Sequence, residues 1–175
     1  PADFAAGPDR PGVAYADLRA GVPAWLPEVV RHAGAGADVV LVTPHWGPNM
    51  TAAPVGHVRR AAAALVAAGA ALVAGHSAHV PHGVAGRVLY DLGDFLDDYR
   101  VDARLRNDLG LLFLVTLDGR GPVRLEALPL KLDFCRTGLA SGKDAAWLRR
   151  RFRAACAALG TEVDEAAGRL LVHWR

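Results

Sequence analysis

Apolar positions change their spacing several times along the chain, and each change marks an element. In "PAWLPEVVRHA" (residues 23–33), Trp25, Leu26, Val29 and Val30 recur at helical intervals. This predicts a short helix before Gly34, with proline tolerated in a first turn whose N–H groups have no intrahelical partner. "DVVLVT" (38–43) is instead a nearly continuous β-branched run, which predicts a strand buried on both faces. From Val55 to Ala68 the apolar residues Val55, Val58, Ala62, Leu65 and Val66 oppose Arg59 and Arg60. That pattern predicts an amphipathic helix closed by Gly69, with His57 toward its polar side. "AALVAG" (70–75) and "RVLYDL" (87–92) read as two further short strands. Strand, helix and strand in alternation predict an α/β layered fold.

Further on, "LGLLFLVTLD" (109–118) and "VRLEALPLKLDF" (123–134) flank the turn sequence "GRGP". They predict an antiparallel pair, and hence a mixed sheet. Ser141 and Asp144 have the spacing of a capping box, after which Leu148, Phe152, Ala155, Cys156 and Leu159 repeat at helical intervals up to Gly160. Arg149, Arg150, Arg151 and Arg153 lie mostly off that stripe and read as a solvated face. No linker, low-complexity tract or internal repeat divides residues 1–175, which read as a single domain.

Composition narrows the function classes more than it alters this picture. A chain of 175 residues that is 52% hydrophobic can bury one ordinary core. Its 20 basic and 18 acidic residues sum to a formal charge of +2, so no field of one sign draws in nucleic acid or an anionic membrane. No apolar run reaches the roughly 18–20 residues of a membrane helix. Cys135 and Cys156 allow at most one disulfide. These features leave the compartment open between the cytoplasm and an extracellular, membrane-associated position.

The candidate chemistry lies in histidines. His45 and His76 each follow the C-terminal end of a predicted strand, where open α/β sheets collect their ligands. His76, His79 and His82 fall in "VAGHSAHVPHG" (73–83), a loop given room by Gly75 and kept from helix by Pro81. Neutral imidazole suits zinc, iron, manganese or nickel. His45, His76 and His79 are therefore the candidate ligands, either of one zinc with water in its fourth position or of half a two-metal site that clamps a phosphoryl group. His82, three residues after His79, reads equally as a residue of the surrounding shell, an exposed side chain or a ligand. Asp91, Asp94, Asp97 and Asp98 in "YDLGDFLDDY" could bind metal, orient an imidazole or cap turns, with Asp94 the candidate supporting residue. His32, His57 and His173 read as structural or solvated. Serine or cysteine nucleophiles lack a "GxSxG" or cysteine motif, and no Gly-rich phosphate loop occurs.

Taken together, "TPHWG" (43–47), "GHSAHV" (75–80) and "VLYDLGDF" (88–95) resemble the C-terminal half of the bacterial capsule synthesis protein CapA family. That family is linked to poly-γ-glutamate and belongs to the calcineurin-like metallophosphoesterase superfamily. "GPDRPGVAYADL" (7–18) resembles the stretch between that family's two halves, so the likeness covers most of residues 1–135.

The resemblance implies the C-terminal part of a layered α-β-β-α sandwich and a metal-dependent phosphoesterase-like hydrolase using two divalent ions of manganese, iron or zinc. His45 and His76 would share one metal, and His79 would bind its neighbour. The substrate would be a small molecule or polymer bearing phosphate or another anionic group. The family's N-terminal "GD", "NLE"-like and "NNH" elements have no counterpart in this chain. The proton donor and remaining ligands are thus expected before Pro1, in an N-terminal half that would also be a partner in folding. Asp94 stands where many relatives carry Asn, and "GHSAH" replaces the commoner "GHHPH". Two other readings accompany this one: a non-catalytic accessory or polymer-binding protein of capsule assembly, and a mononuclear zinc hydrolase of amide or ester bonds.

Overall fold

The structure is a computed structural model that describes residues 2–174. After a single 3-10 turn at Ala2–Phe4, helix α1 (Trp25–Gly34) leads to strand β1 (Leu41–Val42), helix α2 (Gly56–Ala67) and strand β2 (Leu72–Ala74). Strands β3 (Val84–Ala85) and β4 (Val88–Leu89) complete a four-stranded mixed sheet in the order β1-β2-β4-β3. Its first three strands are parallel, and β3 runs antiparallel to β4.

A second sheet is wholly antiparallel. Strands β5 (Leu109–Asp118) and β6 (Gly121–Asp133) form a long hairpin, and β7 (Arg136–Leu139) pairs with β6. Helix α3 (Gly142–Ala157) follows, and then β8 (Asp164–Ala166) and β9 (Arg169–His173), the latter pairing with β6. The architecture is thus α/β with two sheets, and the predicted hairpin belongs to the second sheet rather than extending the first.

Period-two alternation in β2 sorts the core. Val73 turns toward α1 and α2, packing with Val30, Val58, Ala62 and Leu65, whereas Leu72 turns the other way. On that side Leu72, Val84 and Leu89 meet Leu109, Leu111, Leu125 and Leu170 of the antiparallel sheet, and α3 adds Leu148, Phe152 and Cys156 to the same core. Phe152 tilts against Phe113 with ring centroids 5.8 Å apart. Gly83 is required where the chain crosses α3, because a Cβ there would lie 2.4 Å from the carbonyl oxygen of Ala155.

Several sequence expectations are corrected here. The run 38–43 forms only a two-residue strand at the sheet edge, and Leu41 is 56% exposed, so this strand is not buried on both faces. Ser141 precedes α3 without a side-chain capping bond, and Asp144 instead accepts from Arg106 at 3.0 Å. The arginine run is not uniformly solvated: Arg153 pairs with Glu165, but Arg151 is half-buried 5.4 Å from the Trp147 ring, and desolvation pushes its pKa down. Both cysteines are free, Cys135 exposed and Cys156 buried. No helix of the described residues is long and apolar enough to cross a membrane.

Candidate metal centre

The parallel pairing of β1 with β2 extends one step beyond both strands. His45 and His76 form a parallel bridge in which the Trp46 N–H donates to the His76 carbonyl at 3.0 Å and the His76 N–H donates to the Pro44 carbonyl at 3.1 Å. Residues paired in this way project to the same side, and the two Nδ1 atoms lie 3.1 Å apart with the rings edge to face. Gly75 makes the approach possible. A Cβ at that position would lie 2.2 Å from Trp46 Nε1 and 2.5 Å from the Tyr90 carbonyl oxygen, two atoms that are hydrogen-bonded to each other at 2.9 Å.

Beyond His76 the loop is pinned from below by Asp91, which is 2% exposed. Its Oδ2 accepts the Ala78 N–H at 2.7 Å and its Oδ1 accepts the Gly93 N–H at 2.9 Å. Its carbonyl accepts the His82 N–H at 3.0 Å. The Ser77 hydroxyl donates to the Gly47 carbonyl at 3.0 Å, tying this loop to the one that carries His45. Ser77 and His79 hold positive φ angles of 143° and 62°, unusual for residues with a Cβ, so the chain reverses sharply here.

That reversal sends His79 to different company. Its Nδ1 lies 3.1 Å from both carboxylate oxygens of Asp94. Asp94, His79 and Asp97 bring ligand atoms within 4.8 Å of one another. Asp97 Oδ1 accepts the Tyr99 N–H at 3.0 Å, and its Oδ2 accepts from Asn107 Nδ2 at 3.2 Å. Among the described residues no hydrogen bond or ring contact joins His79 to His45 or His76. His82 is buried beneath the loop, with Nε2–H donating to the Thr51 carbonyl at 2.8 Å. The structure therefore divides the four candidate histidines into a His45/His76 pair, a His79/Asp94/Asp97 group and a buried anchor.

Their electrostatics differ accordingly. Burial and the neighbouring His45 hold the His76 pKa below its ordinary value, which favours the neutral ring with one nitrogen lone pair available. Burial likewise lowers the pKa of His82. Asp94 is pushed up to about 6, first by burial and then by its hydrogen bond to Asp97. Burial also acts to raise Asp97, but hydrogen bonds from the Tyr99 N–H, Asp94 and Asn107 outweigh it and the pKa falls. Asp97 stood in the sequence only as one of four carboxylates in "YDLGDFLDDY"; its place beside His79 depends on the turn at Gly93, whose φ is 70°.

The donor geometry fits divalent metal. Two nitrogens bound to one ion at about 2.0–2.1 Å and near-tetrahedral to right angles lie about 3.0–3.4 Å apart. The His45/His76 separation of 3.1 Å is within that range. His79 and Asp97 also line a cavity of about 870 Å³ together with Asn49, Tyr99 and Arg100, so the second group opens onto space large enough for a ligand.

Comparison with known proteins gives the family of the chain. Residues 3–99 match the family of the bacterial capsule synthesis protein PGA_cap. A probable polyglutamine synthesis accessory protein of Mycobacterium tuberculosis is 34% identical over 164 residues, which cover 85% of this chain and 42% of that protein. The PGA biosynthesis protein CapA of Bacillus subtilis is 32% identical over 133 residues, covering 74% of this chain and 33% of the relative. The chain thus spans less than half the length of the curated relatives it matches, and the matched region contains His45, His76, His79, Asp94 and Asp97. This chain belongs to the bacterial capsule synthesis protein CapA family.

Proposed function

We propose that this chain contributes the histidine-bearing half of a metal-dependent, phosphoesterase-like hydrolase of the CapA type, acting in capsule or poly-glutamate synthesis. The observation that carries the reading is the 3.1 Å approach of His45 Nδ1 to His76 Nδ1, built by backbone pairing at the ends of two parallel strands. His45 and His76 would hold one divalent ion, and His79 would hold its neighbour. Such ions, when bound, supply Lewis-acid charge and lower the pKa of a coordinated water. The chain's own part is to keep His76 neutral by burial, to fix His45 against it through the Trp46 and Pro44 backbone bonds, and to hold the 76–82 loop rigid through Asp91. The substrate is an anionic small molecule or polymer that reaches the site through the cavity beside His79.

The name of the mycobacterial relative, an accessory protein, favours a second reading in which the same centre binds metal and polymer without turnover. Metal analysis and phosphodiester hydrolysis on the complete gene product separate the two. The catalytic reading expects bound metal, turnover above background and at least a 100-fold loss of turnover in His76→Ala. Bound metal with no turnover across manganese, iron and zinc refutes it in favour of the accessory reading. One metal per chain with cleavage of esters or amides would point to a mononuclear hydrolase.

A further inference from the structure

We infer that His79, Asp94 and Asp97 together form a divalent-cation site of their own, with harder donors than the His45/His76 pair. The inference deepens the proposed function, on which it rests for the presence of metal, by assigning Asp94 and Asp97 as direct ligands.

Three features carry it. First, the donors converge: His79 Nδ1 stands 3.1 Å from each Asp94 oxygen, and one atom from each of the three residues falls within 4.8 Å of the others. Ligands on one ion are about 3 Å apart when metal–ligand bonds are about 2.1 Å. Second, each donor retains capacity. Asp97 spends one lone pair of Oδ1 on the Tyr99 N–H, one of Oδ2 on Asn107 and one more on the Asp94 proton, and that last one is released when Asp94 ionises to bind a cation. The first two bonds fix the carboxylate's direction, as outer partners of a ligand do. Third, the group faces the 870 Å³ cavity, which His79 and Asp97 line, so water and substrate oxygens can complete an octahedral shell.

The donor set is harder than an imidazole pair: one imidazole with two carboxylates and open water positions accepts manganese, which therefore serves as the probe ion. The competing account keeps Asp94 as an acceptor that only orients His79, leaving His79 Nε2 to bind metal and giving Asp97 no part.

The complete gene product, stripped by chelation and reloaded with manganese alone, tests the two accounts through metal stoichiometry and manganese electron paramagnetic resonance. Asp97→Asn is expected to lose one manganese per chain or to weaken its binding at least tenfold, and to leave His45-dependent zinc uptake unchanged. Asp94→Asn provides a second reading, since Asn Oδ1 still accepts from His79 Nδ1–H and so preserves an orienting role. Loss of manganese in both variants, with circular dichroism and zinc uptake retained, supports direct ligation. Full-affinity manganese binding in either variant overturns it. If Asp97→Asn fails to fold, the Asp94→Asn result decides. Wild-type protein that takes up no metal fails the proposed function as well, whereas manganese dependent on Asp94 and Asp97 without hydrolysis fails that function alone.

Discussion

In the mixed sheet no strand exceeds three residues, whereas β5 and β6 run for ten and thirteen. Every candidate ligand lies just past the ends of those short strands or on the loop after β4, and the long antiparallel hairpin contributes none. The antiparallel sheet and α3 instead supply half of the largest fully buried side chains, including Phe152, Leu109, Leu125, Leu148 and Leu170. The antiparallel region therefore carries cohesion alone, whereas the mixed-sheet region carries a core of its own and the chemistry. Chemistry tolerates short strands because its loops are fixed individually, by Asp91, by the Ser77 to Gly47 bond and by the glycine contact at position 75. A site held this way is separable from the core in its response to mutation.

The sharpest way to break that division is at Phe152, which is 1% exposed and packed against Phe113. Phe152→Ala removes a large buried ring and leaves a cavity, at a cost of about 3–5 kcal/mol. Chemical denaturation should register the full loss, while metal stoichiometry at low temperature, where the variant is still folded, should match the parent. A variant that is folded yet has lost its metal would show that the site depends on this core directly.

Asp91 tests the opposite limb. Asp91→Asn retains one acceptor oxygen but turns an amide NH₂ toward a backbone N–H, costing about 1–3 kcal/mol in this buried position. The larger consequence is local. Freed from its anchor, the 76–82 loop should bind metal about 10–100-fold more weakly, the size of loss seen when outer partners of ligands are removed. Titration with zinc or manganese measures it. Unchanged affinity would mean that the loop keeps its shape without Asp91, and that the site is not held bond by bond.

What the sequence made legible follows the same division. The three helices were readable because a 3.6-residue period is local information, and Val58, Leu65, Leu148 and Phe152 are buried as that period requires. Val39 to Val42 have the composition of a central strand, but whether a strand is central or at an edge is a property of the whole sheet, and Leu41 proves exposed. The β8/β9 hairpin carries little sequence signal because its first strand is the polar "DEA", leaving Gly168 and the alternation of Leu170 with Val172 as cues to a turn that the structure builds with φ angles of 50° and 76° at Ala167 and Gly168. His45 and His76 were legible as a pair because ligands gather beyond parallel strand ends. The company of His79 was only partly so. Asp94 was expected to support the histidines, but Asp97 reaches the group through positive φ angles at His79 and Gly93, which no residue spacing encodes.

The smallest expected effect concerns the stability the chemical region gives up when metal-free. Asp94 keeps its proton to about pH 6 in the folded chain, first because of burial and then because it hydrogen-bonds to Asp97, while the same group ordinarily titrates near 3.8. Between those values the folded state holds more protons than the unfolded state. Stability of the chelated protein should therefore fall as pH rises from about 4 to about 6 and remain lower above that. After allowance for partial exposure the loss is about 1–2 kcal/mol. Asp94→Asn carries no such proton and still accepts from His79. Relative to the parent it should be neutral at pH 3 and more stable by that amount at pH 7, as measured by urea denaturation in the presence of chelator. An equal difference at both pH values would mean that Asp94 does not titrate on folding. A gain confined to high pH would make Asp94 a residue that costs stability in the metal-free chain, a liability found at functional sites and absent from the Phe152 core.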